Sequence, residues 1–215
     1  MGTVSGRCVV ICGAPIDFDA RNMIREGDYV MCADSGWQKA REMGIVPDMI
    51  VGDFDSSPDP SDRYDNVEVL PTVKDDTDTH HIARHIIEKG FTDVLLLGAV
   101  GGNRIEHTLS NISTMLFLAE HGISATARTG KSTLIVIKNG KICLKDADRR
   151  FLSVFPLGDR SEGVTITGAK YEVEDAVLTN DFPIGVSNEF IGNDVTIEVE
   201  KGSLLIVITD RDDIN

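Results

Sequence analysis

One pattern repeats through the first 125 or so residues and restricts the fold more than any other feature. A short, strand-like apolar run ends in glycine or aspartate, and a segment of helical period follows. The runs are Arg7 to Cys12, Tyr29 to Ala33, Asp48 to Val51 and Asp93 to Leu97. Unbroken hydrophobicity over so few residues suits strands buried on both faces, as in a parallel sheet. Between them, Ala20 to Glu26 is predicted as a short helix and Trp37 to Met43 as another, with Gly44 as its C-cap. A helix opened by Asp76 or Thr77 runs to Lys89 and stops at Gly90, burying Ile82, Ala83, Ile86 and Ile87. A longer one runs from about Arg104 to His121, with Ile105, Leu109, Ile112, Leu116 and Ala119 predicted as its buried face. Strand alternating with helix predicts an α/β N-terminal domain with a mostly parallel open sheet. Ligands of such sheets bind beyond the carboxyl ends of the strands.

After Arg128 the texture changes. Ser132 to Lys138, Lys141 to Leu144, Phe151 to Phe155, Val164 to Thr167, Lys170 to Val173, Asp194 to Val199 and Leu204 to Thr209 have strand character, separated by turn residues such as Asn139-Gly140 and Lys201-Gly202. The expectation is a two-domain chain, 1–128 α/β and 129–215 an all-β sandwich.

The strand ends carry the chemistry. After Met49-Ile50-Val51 comes Gly52-Asp53-Phe54-Asp55-Ser56. Two carboxylates so close repel unless a cation or strong donors lie between them. Hard oxygen ligands at a strand end suit magnesium, which takes one or two carboxylates and leaves its other positions to water and phosphate. A polar turn would use aspartate too. The enrichment is regional, however, with ten aspartates and two glutamates from Asp34 to Asp78. Lys74-Asp75-Asp76-Thr77-Asp78 opens a helix. Capping accounts for one of these aspartates, and a lysine beside carboxylates suits a phosphate held with its metal. Gly101-Gly102-Asn103-Arg104-Ile105-Glu106-His107 is a glycine-rich turn into a helix N-terminus, which presents N–H groups to an anion. It is not the GxGxxG fingerprint, which disfavours a Rossmann oxidoreductase. Gly130-Lys131-Ser132 is not a P-loop, because Ala125 stands where the pattern needs glycine and a strand follows. His81 and His85 have metal-binding spacing, but no third ligand is signalled and they are expected to face solvent.

The formal net charge of -14 argues against nucleic acid and anionic membranes as partners, though not against a nucleotide held through metal ions. No apolar run reaches the length of a membrane span and no signal segment is evident, so a cytoplasmic protein is expected. Cys8, Cys12, Cys32 and Cys143 form no framework and are expected as reduced thiols.

Asp34-Ser35-Gly36, Gly52 to Ser56, Lys74 to Asp78, the Gly-Gly…Arg-Ile-Glu-His segment and Ser187-Asn188 follow the order and spacing of thiamine pyrophosphokinases, and over essentially its whole length the chain resembles that family. The resemblance implies an α/β nucleotide domain followed by a thiamine-binding β-sandwich. It implies a homodimer with active sites at the interface and transfer of a pyrophosphoryl group from ATP to the thiamine hydroxyl, releasing AMP. By position it implies Asp53, Asp55 and Asp75 as Mg²⁺ ligands, with Asp78 supporting. Asp34, Lys74, Thr77, Gly101, Gly102 and Arg104 would serve ATP. Glu106, His107, Ser187 and Asn188 would serve thiamine. The chain departs from the family's Gly-Gly-Arg-x-Asp-His by inserting Asn103 and replacing the aspartate with Glu106. Either a carboxylate of the acidic set or His107 could take the hydroxyl proton. The rival readings are a pyrophosphokinase of another small alcohol such as a hydroxymethylpterin, a non-catalytic nucleotide or thiamine sensor, and a metal-dependent phosphohydrolase.

Overall fold

The computed structural model describes residues 6–55, 57–73, 75–146 and 150–211. The chain forms two compact units, Met1–Gly130 and Lys131–Asn215.

The first unit holds β1 (Cys8–Ile11), β2 (Tyr29–Ala33), β3 (Met49–Gly52), β4 (Val67–Val69), β5 (Asp93–Leu97) and β6 (Ser124–Arg128). They pair in the order β6-β5-β1-β2-β3-β4, every pairing parallel. Strand order runs outward from β1 in both directions. The reversal lies between β1 and β5, where open α/β sheets leave a crevice at the strands' carboxyl ends. Among the described residues three helices pack with the sheet: α1 (Gly36–Glu42), α2 (Asp78–Lys89) and α3 (Ile105–Glu120). Val9, Ile11, Val30, Cys32, Ile50, Leu95 and Leu97 pack with Trp37 and Ala40 of α1. The alternate residues Val10, Met31, Val51 and Leu96 are equally buried on the opposite face. That is why these strands lack a polar side and read as continuous apolar runs.

Helix ends follow their local chemistry. The Thr77 hydroxyl accepts the His80 N–H at 3.2 Å and caps α2, and Gly90 closes it in the left-handed region (φ 79). Ile82, Ala83 and Ile86 are buried as predicted, and Ile87 is half-buried.

The predicted face of α3 is met only in part, with Ile112, Leu116 and Ala119 half-buried. Thr108, Asn111, Thr114, Met115 and Leu118 are buried, whereas Ile105 and Leu109 are 66% and 59% exposed. Two polar residues rotate the helix. The Thr108 hydroxyl accepts the Gly101 N–H at 3.0 Å, and Asn111 Nδ2 donates to the Ala99 carbonyl at 2.7 Å. Buried backbone groups must be paired, so this face turns inward although it is the less apolar one. Ala20 to Glu26 forms only a 3-10 turn, Ala20–Met23.

The second unit is antiparallel throughout: β7 (Ser132–Leu144), β8 (Arg150–Pro156), β9 (Arg160–Thr167), β10 (Val173–Thr179), β11 (Asn188–Glu189) and β12 (Val195–Asp210). The first half of β12 pairs with β7 and β9, and its second half with β7 and β8. Val195, Ile197, Val199, Leu204, Ile206 and Ile208 from both halves fill one core with Leu152, Val154, Val164 and Ile166. Two predicted chain reversals are therefore bends within single strands. Asn139 (φ 43) accepts the Gly202 N–H at 2.8 Å, and the β12–β7 register shifts between Val199 and Ser203. Turn residues here bend two strands together, which local sequence cannot separate from a hairpin. The strand predicted at Lys170 to Val173 begins instead at Val173, since the Lys170 N–H is spent on the Glu189 carbonyl at 3.0 Å. Among the described residues no helix is long and apolar enough to cross a membrane.

Candidate active site

The ends of β1, β2, β3 and β5 and the N-termini of α2 and α3 converge on a cleft of about 520 Å³ within the first unit. Close backbone approach makes this possible. A Cβ on Gly36 would stand 2.0 Å from the Ile11 carbonyl oxygen, and one on Gly98 (φ 62) 2.6 Å from that of Cys12. Only glycine lets the loops after β2 and β5 close over the end of β1.

Asp34, Asp53, Asp55, Asp76 and Asp78 line the cleft. Asp34 and Phe54 adopt positive φ (44 and 52), which folds each strand end sharply towards it. Asp53 accepts the Asp55 N–H at 3.3 Å, and Asp34 accepts the Ser57 hydroxyl at 2.9 Å. Asp76 has a buried Oδ2 3.1 Å from Arg84 Nη2, an ion pair that lacks hydrogen-bond geometry. Of the predicted residues in this segment, Thr77 and Asp78 line the cleft. Asp75 is exposed and outside that lining, and Lys74 and Ser56 lie outside the described residues.

Gly101 (φ 97) and Gly102 (φ 80) lead into α3, and with Arg104 and His107 they line the same cleft. Glu106 does not. It accepts a hydrogen bond from Arg104 Nε at 2.7 Å, which holds its carboxyl below the usual range and orients the guanidinium. Sequence reasoning missed Gly13 and Ala14 at the end of β1, and Thr79, Ser110 and Asn111 on the helices. Gly13-Ala14-Pro15 carried the same strand-end signal as the other loops. The helix residues carried none. Cys12 and Thr79 meet at 3.7 Å, and burial pushes the Cys12 thiol up to about 12, so it is inert.

In the second unit Asn188 is buried and committed to the backbone. Its Oδ1 accepts the N–H groups of Tyr171 and Glu189, both at 2.9 Å, and its Nδ2 donates to the Tyr171 carbonyl at 2.7 Å. Ser187, at φ 63, is exposed beside the exposed apolar side chains of Phe182, Ile184 and Val186.

The thiamin pyrophosphokinase catalytic-domain profile matches residues 20–127, half of the chain. The chain belongs to the thiamine pyrophosphokinase family. The family's vitamin B1 binding domain matches residues 141–204. A thiamine pyrophosphokinase of Bacillus subtilis (strain 168) is 26% identical over 206 residues, covering 92% of this chain and 96% of its own. Thiamin pyrophosphokinase 1 of Caenorhabditis elegans is 23% identical, covering 94% and 88%. Crystal structures share the fold. That of the Bacillus subtilis enzyme superposes with a TM-score of 0.86 at 22% identity over 95% of this chain and 99% of that one. That from Geobacillus thermodenitrificans superposes at 0.84 and 24% identity over 97% and 100%. As a member of the family the chain is an enzyme acting on thiamine.

Proposed function

We propose that the cleft of the first unit binds ATP and that the pyrophosphoryl group passes from it to the hydroxyl of thiamine. The thiamine oxygen attacks the β-phosphorus in line, the bond from that phosphorus to the α,β-bridging oxygen breaks, and AMP leaves. The observation that carries the reading is that one cleft gathers both kinds of group. Asp53, Asp55 and Asp78 line it together with a glycine-rich helix N-terminus and Arg104. The N–H groups and Arg104 suit phosphate oxygens, and positioning with charge neutralisation supplies most of the catalysis in such transfers.

The donor set of the clustered aspartates is carboxylate alone, hard oxygen, which fits Mg²⁺. Asp53, Asp55 and Asp75 would hold it, with Asp78 supporting. Bound there, the ion would neutralise phosphate charge. Asp75 takes this role by its place in the motif; Asp76, which lines the cleft with a buried Oδ2 that has no hydrogen-bond partner among the described residues, is the other carboxylate of the segment that suits it. Thr77 and Asp34 shape the rim, and Lys74 is assigned to the phosphates by its place in the motif. The hydroxyl proton passes to a carboxylate of this set or to His107, which lines the same cleft.

Thiamine is cationic and partly apolar, which matches an acidic chain and the exposed Phe182, Ile184 and Val186 beside Ser187. Ser187 contacts it directly, and Asn188 holds that loop in place through its backbone bonds. Glu106 acts on it through Arg104. The same exposed apolar side chains suit a homodimer with sites at the interface. The free, buried Cys8, Cys12 and Cys32 suit the reducing cytoplasm.

The test is AMP formation from ATP and Mg²⁺ with and without thiamine, alongside detection of thiamine diphosphate. AMP and thiamine diphosphate formed together, only with thiamine, are expected. ADP as product, or turnover supported by a pterin alcohol instead, would overturn the reading.

A further inference from the structure

The histidines predicted to face solvent do not. His81 and His85 lie one turn apart on α2, and each side chain is about three-quarters buried, at 24% and 22% exposure. Across from them Glu68, at the centre of the edge strand β4, reaches both. His81 Nε2 lies 2.9 Å from one of its carboxylate oxygens and His85 Nε2 2.7 Å from the other. Donor atoms of all three residues fall within 4.8 Å of one another, and this is the one such group among the described residues. The cluster does not line the nucleotide cleft.

We propose that Glu68, His81 and His85 form a site for a divalent transition-metal ion of the zinc class. Both imidazoles turn the same nitrogen to one carboxylate, which i, i+4 spacing on a helix permits. Each ring's other nitrogen faces a second carboxylate: His81 Nδ1 is 4.0 Å from Asp76 Oδ2, and His85 Nδ1 is 3.7 Å from Glu88 Oε2. At these distances the carboxylates are electrostatic neighbours of the distal nitrogens, on the side where metal-binding histidines commonly have a carboxylate partner. Two nitrogens and one carboxylate suit zinc, leaving its fourth position to water, and do not suit magnesium. The site ties β4 to α2, whose first turn carries Thr77, Asp78 and Thr79 into the cleft. The ion therefore acts as a clip that holds this turn, apart from the chemistry, and the site does not depend on the reaction assigned above.

Untagged, chelator-stripped protein is titrated with Zn²⁺ against a chromophoric chelator. Tight binding of one equivalent per chain is expected. Loss of a ligand in Glu68→Gln or His85→Ala weakens it at least about 100-fold, since even outer-shell changes cost ~10–100-fold. Asp53→Asn and His121→Ala bind as the parent does. Co²⁺ read by proton NMR gives a second measurement that needs no variant: the ring signals of His81 and His85 shift strongly, and those of His107 and His121 do not. Absence of a stoichiometric equivalent, unchanged affinity in Glu68→Gln, loss of binding in Asp53→Asn, or Co²⁺ shifts centred on His107 or His121 would each overturn the proposal.

Discussion

Gly36→Ala sets helix propensity against packing, and the geometry fixes the sign. Gly36 opens α1 without a positive φ, so propensity alone favours alanine by up to about 1 kcal/mol. Against this, the new Cβ would stand 2.0 Å from the Ile11 carbonyl oxygen and 2.8 Å from its carbon. A carbon–oxygen contact needs about 3.3 Å, so roughly 1.3 Å must come from moving α1 or β1. Both obstructing atoms are backbone, and β1 is held by β2 on one side and β5 on the other. Overpacking of this kind costs about 1–3 kcal/mol, with the upper end favoured where no side chain can rotate away. The net expectation is a loss of about 2 kcal/mol. In urea unfolding followed by far-UV circular dichroism, with a slope of ~2 kcal/mol/M, the midpoint falls by about 1 M. Asp34 and Ser35 immediately precede the site of strain, and a displacement of ~1 Å there lowers turnover by about 10²-fold. Gly44→Ala is the control. Its φ of 68 is unfavourable for alanine but nothing lies within 4 Å, so it loses only about 1–2 kcal/mol and keeps its turnover. A Gly36→Ala protein as stable as the parent would refute the packing argument.

Three further outcomes follow from named contacts. Asp75→Asn should lower AMP formation by at least about 10²-fold without a change in midpoint, whereas Asp76→Asn, which breaks the Arg84 pair, should act mainly on the unfolding midpoint; the reverse order would move the metal role to Asp76. Asp28 accepts bonds from Arg7 Nη2 at 2.6 Å and the Arg25 N–H at 2.8 Å; burial raises its pKa, but these bonds and the arginine charges together hold it below the ordinary value. Its contribution is therefore complete above about pH 4 and is lost as pH falls through the depressed value. Asp28→Asn should cost about 2 kcal/mol at pH 7 and less in acid, and a pH-independent difference would count against the linkage. Thr77→Ala removes the α2 cap and should cost about 1 kcal/mol in the same urea assay, with Thr77→Ser restoring most of it.

Legibility in the sequence tracked how local each cause was. The caps of α2, Thr77 and Gly90, depend on a few adjacent residues and were readable. So were the doubly buried strands, whose apolar runs have no polar alternation. The face of α3 was not, because Thr108 and Asn111 face inward to pair with the Gly101 N–H and the Ala99 carbonyl of the preceding loop, and hydrophobic period carries no sign of such pairing. The bends in β7 and β12 failed for a related reason. Asn139 and Gly202 act as a pair across two strands, and a turn residue whose partner is 63 positions away looks like a hairpin. The zinc-class cluster was half visible. The i, i+4 histidines stood out, but Glu68 enters through the pairing of β4 with β3.

By itself the sequence determined the alternation that dictates a parallel sheet, the placement of glycine and aspartate at strand ends, and the motif order that marks the family. These are properties of short segments and of their spacing, and chain chemistry specifies both. Tertiary structure alone decided which carboxylates share a cleft, with Asp76 inside its lining and Asp75 outside. It also decided that Glu106 serves Arg104 and that Asn188 is spent on Tyr171. Side-chain direction depends on how each element is rotated against its neighbours. That rotation is set by packing and by the pairing of buried polar groups across the whole unit, which no local stretch contains.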